Sequence, residues 1–456
     1  MVTLDSVFCI ALTKKTIMQT RKTSLKLKLS IAVLIIALGL TATVSNAQYL
    51  LNSDSAFKAG ATNSGRIWGY IFGDYYFKAN SDSAQRGNGN QYTGIPQSRS
   101  AFQSRRIYLG YDYNISNKFA AELLLASEDN FPAGNPSSSA SASGDELTNS
   151  KLAFYIKLAN LRWKGIWKGT DLVVGQLSTP TFALMSEKIW NYRSVERTIA
   201  DIRRTPSYDM GAALQGTFDP STKNFGYNVM VGNGSSAKPE ADNFKWFYGD
   251  VYGYLMDKKL VVDLYSDYER LDWTPALHHS RNMNKIFIAY NTAATAKGGM
   301  VPSTGFTAGV EYFVNNLQND VTATKIAGGT DLIDVQASGL SVFVHGDITK
   351  NKLRYFARYD YFTPNNKVDN SKYSKYAGNT GNYKDNGVGS SANDQTYKQQ
   401  FITAGLDYMP AKNVHIIPNV WYNTYASQLA APAVSYVTPD GNDLVLRLTF
   451  HYVFGK

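Results

Sequence analysis

The stretch "LVLRLTFHYVF", residues 444–454, sets the reading of the whole chain. Leu444, Leu446, Leu448, Phe450, Tyr452 and Phe454 fall on one side of an extended backbone. Val445, Arg447, Thr449, His451 and Val453 fall on the other. Strand side chains alternate with period two, so this is a strand with one wholly apolar face and one mostly polar face. Its length suits a bilayer crossing at a tilt, which takes about 9–11 residues. In a soluble barrel the apolar face would turn inward. In a membrane barrel it meets lipid, and the polar face lines a lumen.

The same phase recurs along the chain. "RIYLGYDY" sets Ile107, Leu109, Tyr111 and Tyr113 against Arg106, Tyr108, Gly110 and Asp112. "LRYFARYDYF" sets Leu353, Tyr355, Ala357 and Tyr359 against Arg354, Phe356, Arg358 and Asp360, and "FITAGLDYM" sets Ile402, Ala404, Leu406 and Tyr408 against Thr403, Gly405 and Asp407. Apolar faces that end in Tyr fit the aromatic girdles at the two water interfaces. A sealed sandwich core has little use for so much tyrosine, whose hydroxyl needs a partner. Tight turns are predicted at "NISNK", "WKGIWKG", "DPSTKN", "MDKK", "TKNK" and "PAKN". Long polar connections alternate with them, at 79–100, 127–150, 233–243, 269–283, 315–337, 363–397 and 427–441. Residues 292–304 form a long connection where a short turn is due. Short periplasmic turns and long extracellular loops describe an all-β, antiparallel, up-and-down transmembrane β-barrel of about sixteen strands.

The N-terminus agrees with export. Lys14, Lys15, Arg21, Lys22, Lys26 and Lys28 precede the apolar run "LSIAVLIIALGLTATV" and then "SNAQ", so residues 1–47 read as a secretory signal peptide, with Met18 as an alternative start. Residues 48–64 are then a short periplasmic segment, and residues 65–456 the barrel. Losing residues 1–47 removes six Lys/Arg and one Asp, which lowers the formal charge from +10 to +5. That mild charge makes nucleic acid a poor partner. Cys9 leaves with the signal, which excludes disulfides and thiolate metal sites from the mature chain. No cofactor is implied. The outer loops, such as "NSDSAQRGNGNQYTG", are Ser/Gly/Asn-rich and read as solvated.

One long connection differs. The third, about residues 177–207, holds Phe182, Leu184, Met185, Ile189, Trp190, Tyr192, Val195, Ile199 and Ile202. Those side chains give it something to pack against, so it is expected to fold into the lumen and narrow the pore. Lys188, Arg193, Glu196, Arg197, Asp201, Arg203, Arg204 and Asp209 are then the candidate constriction residues, with Glu187 among their partners. Charge at a narrow point between low-dielectric walls acts on passing ions most strongly. The competing reading is that these charges pair with one another and fix the shape of the loop. On the wall, Arg106, Lys157, Arg354, Arg358 and Arg447 read as lumen-facing, as do Glu122, Glu311, Asp347 and Asp407, in a wet lining of mixed charge.

"VVGQLSTPTF" followed by "VERTIADIRRTPSYDMGAALQG" resembles the pattern of the phosphate-selective porin O and P family, through Gly175, Gln176, Thr179, Pro180, Glu196, Arg197, Asp209 and Gly211. The chain departs from it at Tyr208, where that family carries Arg. The resemblance implies a sixteen-stranded porin in the bacterial outer membrane. It also implies a trimer and a third loop folded into a channel for small hydrophilic solutes, phosphate among them. Two other classes of outer-membrane barrel make different demands on the sequence. An outer-membrane hydrolase would need a paired histidine, and His278 and His279 sit in the connection "LDWTPALHHSRN", where they read as solvated. An adhesive or structural barrel would need a plug, and only the short 48–64 segment precedes the first strand. The expectation is a non-enzymatic channel.

Overall fold

A computed structural model describes residues 63–84, 86, 92, 94–128, 147–148, 151–152, 154–203, 207–240, 242–292, 305–378, 397–437 and 439–455. The expected signal peptide (residues 1–47), the 48–62 segment and most of the Ser-rich 129–153 connection lie outside the described residues. The first strands are β1 (Ser64–Asn80), β2 (Ser100–Asn114) and β3 (Phe119–Glu128), then a two-residue ribbon of β4 (Leu147–Thr148) and β5 (Lys151–Leu152). They are followed by β6 (Tyr155–Trp167), β7 (Thr170–Ser178), β8 (Tyr208–Thr217), β9 (Phe225–Gly232) and β10 (Trp246–Leu255). Next come β11 (Leu260–Trp273), β12 (His278–Asn291), β13 (Phe306–Lys325), β14 (Thr330–Thr349) and β15 (Leu353–Thr363). The chain ends with β16 (Tyr373–Gly378), β17 (Lys398–Ala411), β18 (Val414–Ala426) and β19 (Gly441–Phe454). Sixteen of these form one antiparallel wall, and β1 pairs with β19 to close it. Closure leaves the sixteen-stranded wall without an edge strand among the described residues, as a sheet in lipid requires.

The phase reads as predicted. Leu446 and Leu448 are 50 % and 46 % exposed on the outer face, while Val445 and Thr449 on either side of the pair are fully buried and Arg447 between them is buried too. Tyr111, Trp163, Tyr408 and Tyr452 toward the turns, and Tyr75, Phe247 and Tyr268 toward the loops, are exposed with the aliphatic side chains between them. An apolar belt of that extent on an exported protein is stable only against acyl chains, so this is a multi-pass barrel of the bacterial outer membrane. Substituting Leu448 by Arg, near mid-strand, is expected to cost about 2–4 kcal/mol of folding stability in lipid, and Phe454→Arg at the strand end about 0–1 kcal/mol. Denaturant titrations of refolding into lipid vesicles read both. Equal costs at the two depths would refute a lipid-facing belt.

The tight ends match their turn signals. In the turn between β8 and β9, Asp219 accepts hydrogen bonds from the backbone N–H groups of Asn224 and Phe225 at 2.8 and 2.9 Å. Burial would raise its carboxyl, but bonds from Thr222, Phe225 and Asn224 outweigh it and bring the pKa down to about 2.

The loop end departs from expectation in three ways. Residues 269–283 and 315–337 are not long polar connections. They are hairpins in which β11–β12 and β13–β14 continue beyond the belt and turn at 274–277 and 326–329. A ribbon above the membrane has water on both faces, so it loses the apolar alternation that marks the wall. The 363–397 connection also contains β16, which pairs with the upper end of β13. Tyr373 and Tyr376 from it pack with Leu317, Val321 and Val335 as a small outer core. Finally, the first outer loop is not wholly solvated: Asp82, Arg86, Tyr92 and Ile95 are buried. The hydroxyl of Tyr92 donates to Asp74 Oδ2 at 2.6 Å, and Arg86 holds Asp82 at 2.8 Å.

Candidate functional site

The connection between β7 and β8 runs inside the barrel. Two short helices, Ser186–Trp190 and Ile199–Arg203, shape it. Asn191 takes a left-handed conformation that ends the first, its N–H bonding to the Glu187 carbonyl. Thr198 Oγ1 accepts from the Asp201 N–H at the start of the second. The apolar residues that set this segment apart in the sequence face the wall. Leu184, Met185, Ile189, Trp190, Tyr192 and Val195 share one core with Tyr252, Tyr254, Phe287, Phe343, Phe356 and Ile417. Gly339 of β14 makes room for the second helix, since a Cβ there would lie 3.0 Å from Ile199 Cδ1 and closer still to Phe313.

Polar anchors reach much of the circumference. On β2, Arg105 donates to the Ser194 carbonyl at 2.9 Å. On β11, Tyr265 bonds Thr181 at 2.8 Å, and on β13 Glu311 accepts from the Ala200 N–H at 3.1 Å. His345 Nε2 of β14 donates to the Ile189 carbonyl at 3.1 Å, while its Nδ1 accepts from Arg354 at 3.2 Å. Arg358 of β15 donates to the Arg197 carbonyl. Tyr192 donates to Asp407 of β17 at 3.2 Å, and Trp421 of β18 donates to Glu196 Oε2 at 2.8 Å. The β19–β1 side is occupied by Tyr92 of the first loop, over which Arg447 sits 5.3 Å from the ring centre.

The candidate constriction residues are mostly engaged with one another. Arg193, buried, pairs with Glu187 and Asp201 and lies 4.0 Å from Glu128. Arg197 lies 3.8 Å from Asp201 and 4.0 Å from Glu196. Burial alone would raise the Glu196 carboxyl, but Arg197, Arg105 and the Trp421 indole hold it below its ordinary value. Glu187 goes the other way, pushed up by burial and by Asp201 against the pull of Arg193. Lys188 is half-buried. Arg203 closes the second helix, and Arg204 lies outside the described residues. Asp209 stands apart: its carboxylate accepts from the Gly234 N–H at 2.7 Å and from Tyr248 at 3.0 Å, tying β8 to the next loop.

The wall residues do face inward, but the expected wet lining is largely dry. Arg106, Lys157, Arg354, Arg358 and Arg447 are buried, with Glu311 and Asp407. Arg106 meets Glu128 at 2.7 Å, Arg354 meets Asp347 at 2.6 Å, and Arg358 pairs with Asp360. The inward loop and the ring of inward aromatics exclude water from them. Half-exposed polar groups persist on β3, β6 and β7, where Glu122, Asn160, Arg162 and Asp171 remain accessible. The histidine pair is also corrected: His278 and His279 begin β12, and His279 is buried against Asp320.

Sequence reading missed Arg105, Glu128, Trp421 and Asp263. A bulge opposite Phe72–Gly73 turns both Arg105 and Arg106 inward. The adjacent arginine pair was its one visible signal. Glu128 is the shared acceptor of Arg106 and Lys157, and Asp263 holds Lys285 at 3.0 Å.

With the closed wall, outward belt and inward loop in place, comparison with solved structures shows the fold. The outer membrane channel DcaP of Acinetobacter baumannii superposes with a TM-score of 0.55 at 10 % identity, over 87 % of this chain and 99 % of that one. The fold is that of an outer-membrane porin barrel. An anion-selective porin from Comamonas acidovorans is similar at a TM-score of 0.49 and 12 % identity, covering 86 % of this chain and 100 % of that one. Salmonella typhi OmpF, in complex with daunomycin, gives 0.48 and 12 %, over 86 % and 98 %. No family model and no curated protein matches the sequence.

Proposed function

We propose that this barrel is a porin, a non-enzymatic channel for small hydrophilic solutes, with residues 179–207 as its constriction. The observation that carries the reading is the third loop: a structural barrel has no need of a charged segment anchored across its lumen. The finer reading takes anions such as phosphate as solute and a homotrimer as the assembly. It is supported by the "GQLSTP" and "VER" motifs and by Arg105, Arg106, Lys157 and Arg193 on one side of the loop. Against a strong anion preference, each of these four cations already has a carboxylate within about 4 Å. A second reading, a barrel with a structural or adhesive role and no flux, draws on the burial of the inner faces of β10–β19. Planar-bilayer recordings in a salt gradient separate the two. Discrete conductance steps are expected, with a reversal potential near zero and partial block on adding phosphate. A barrel that inserts into the bilayer yet carries no current would sink the channel reading.

A further inference from the structure

The connections at the short-turn end carry one sign of charge. Residues 115–118, 168–169, 218–224, 256–259, 350–352 and 412–413 hold eight lysines and two aspartates between them, with no arginine or glutamate. One of the two, Asp219, is engaged inside its own turn by the Asn224 and Phe225 N–H groups. Lys118, Lys168, Lys259, Lys350, Lys352 and Lys412 are exposed, and none of the six has an ion pair among the described residues. The loop end has no such bias. There, residues 233–245 hold two lysines and two carboxylates, and Lys245 pairs with Glu240 at 2.7 Å. We infer that this ring of lysines is a docking surface for anionic phospholipid headgroups, at the face of the membrane that the short turns occupy. The inference does not depend on whether the barrel conducts.

Depth and distribution decide the partner. The lysines stand at strand ends, next to the outward aromatics of the belt. The Lys118 carbonyl accepts from the Lys164 N–H at 2.7 Å, which sets the 115–118 turn beside Trp163, and the rings of Phe119 and Trp163 lie 5.5 Å apart. Trp163 and Trp167 are 42 % and 49 % exposed, and Phe218 is 66 % exposed. Tryptophan in that position sits at the level of the headgroups, and a lysine stem lies along apolar surface while its ammonium reaches for a phosphate. The six turns join β2–β3, β6–β7, β8–β9, β10–β11, β14–β15 and β17–β18, so the charge runs around the wall instead of gathering in one patch. A folded acidic protein needs a contiguous patch, whereas a layer of headgroups meets the whole ring. A zwitterionic lipid brings its own ammonium and adds no net charge. An anionic phosphodiester supplies the negative charge that the turns lack, and one lysine near such a surface favours it roughly fivefold.

The test uses the exposed girdle tryptophans as reporters. The full mature chain is refolded into mixed vesicles of phosphatidylcholine and phosphatidylglycerol, with dibrominated acyl chains on one lipid or the other. Contact quenching then gives the relative association of the two lipids with the wall. Phosphatidylglycerol is expected to be favoured roughly fivefold, and the preference should vanish in about 1 M salt, where the screening length is about 3 Å. Lys118→Ser together with Lys168→Ser, beside Trp163 and Trp167, should lose most of that preference, and Lys118→Arg with Lys168→Arg should keep it. Strand content by circular dichroism confirms that each variant is folded. Equal quenching by the two lipids in the wild type overturns the inference, as does a preference that the serine variant retains in full. Poly-L-glutamate that shifts the tryptophan emission of the detergent-solubilised chain, in the absence of any lipid preference, reassigns the ring to an acidic polypeptide.

Discussion

Trp190→Ala is expected to raise single-channel conductance severalfold while leaving the barrel's denaturation midpoint nearly unchanged. The indole is the centre of the contact between loop and wall. Its ring lies 5.2 Å from Phe343 and 6.3 Å from Phe356, the Arg358 guanidinium sits 5.2 Å from its centre, and its Nε1 donates to the Glu196 carbonyl at 2.8 Å. Truncating a buried Trp costs about 3–5 kcal/mol. Here that cost falls on the docked state of the loop, because the strands are held by their own ladders whether or not the loop is seated. A shift of that size is enough to move a loop from almost always docked to substantially undocked. Limited proteolysis gives an independent reading, since an undocked segment 179–203 becomes cleavable from outside. Wild-type conductance together with wild-type protease resistance would show that the constriction lies elsewhere.

The wall was legible because lipid imposes one rule on every strand. A side chain facing acyl tails must be apolar, so the period-two signal of residues 444–454 and 353–362 survives with little noise. The inward turn of the third loop was legible for a related reason: Trp190, Tyr192 and Ile199 would be costly in water, and the lumen was the place left for them. What the sequence did not show follows from the weaker constraints above the membrane and inside it. The hairpins of β11–β12 and β13–β14 extend into water on both sides, where polarity no longer distinguishes strand from loop. Arg105 was hidden by its phase, since the alternation that turns Arg106 inward turns Arg105 toward lipid unless a bulge intervenes. Tyr92 sits in a stretch of Gly, Asn and Gln with no periodicity, and its burial depends on Asp74 of the preceding strand and on Arg447, at the other end of the chain. Which charges pair is set by strand register and loop path together, so Glu128, at the very end of β3, gave no sign that it gathers the cations of two neighbouring strands.

That gathering makes Glu128→Gln the substitution with the largest expected cost to the fold. Glu128 Oε1 accepts from Arg106 at 2.7 Å and from Lys157 and the Tyr108 hydroxyl, and Arg193 of the loop stands 4.0 Å away. All four charged groups are buried, and Glu187 and Asp201 are the remaining carboxylates beside Arg193. With Glu128 neutral, three cations face two anions out of contact with water. Removing one partner of a buried pair costs about 3–5 kcal/mol, because the charge left behind is uncompensated. The denaturant midpoint for refolding into vesicles should fall accordingly. Adding Lys157→Met, which removes one of the three cations, should recover a large part of the loss. The same imbalance has an electrical reading: the spare positive charge lies where the loop meets β2 and β3, so the reversal potential in a salt gradient should move toward anion preference in Glu128→Gln and return in the double variant. If the single variant were as stable as the wild type, water would have to reach these groups, and the dry, ion-paired inner wall on which the constriction depends would be wrong.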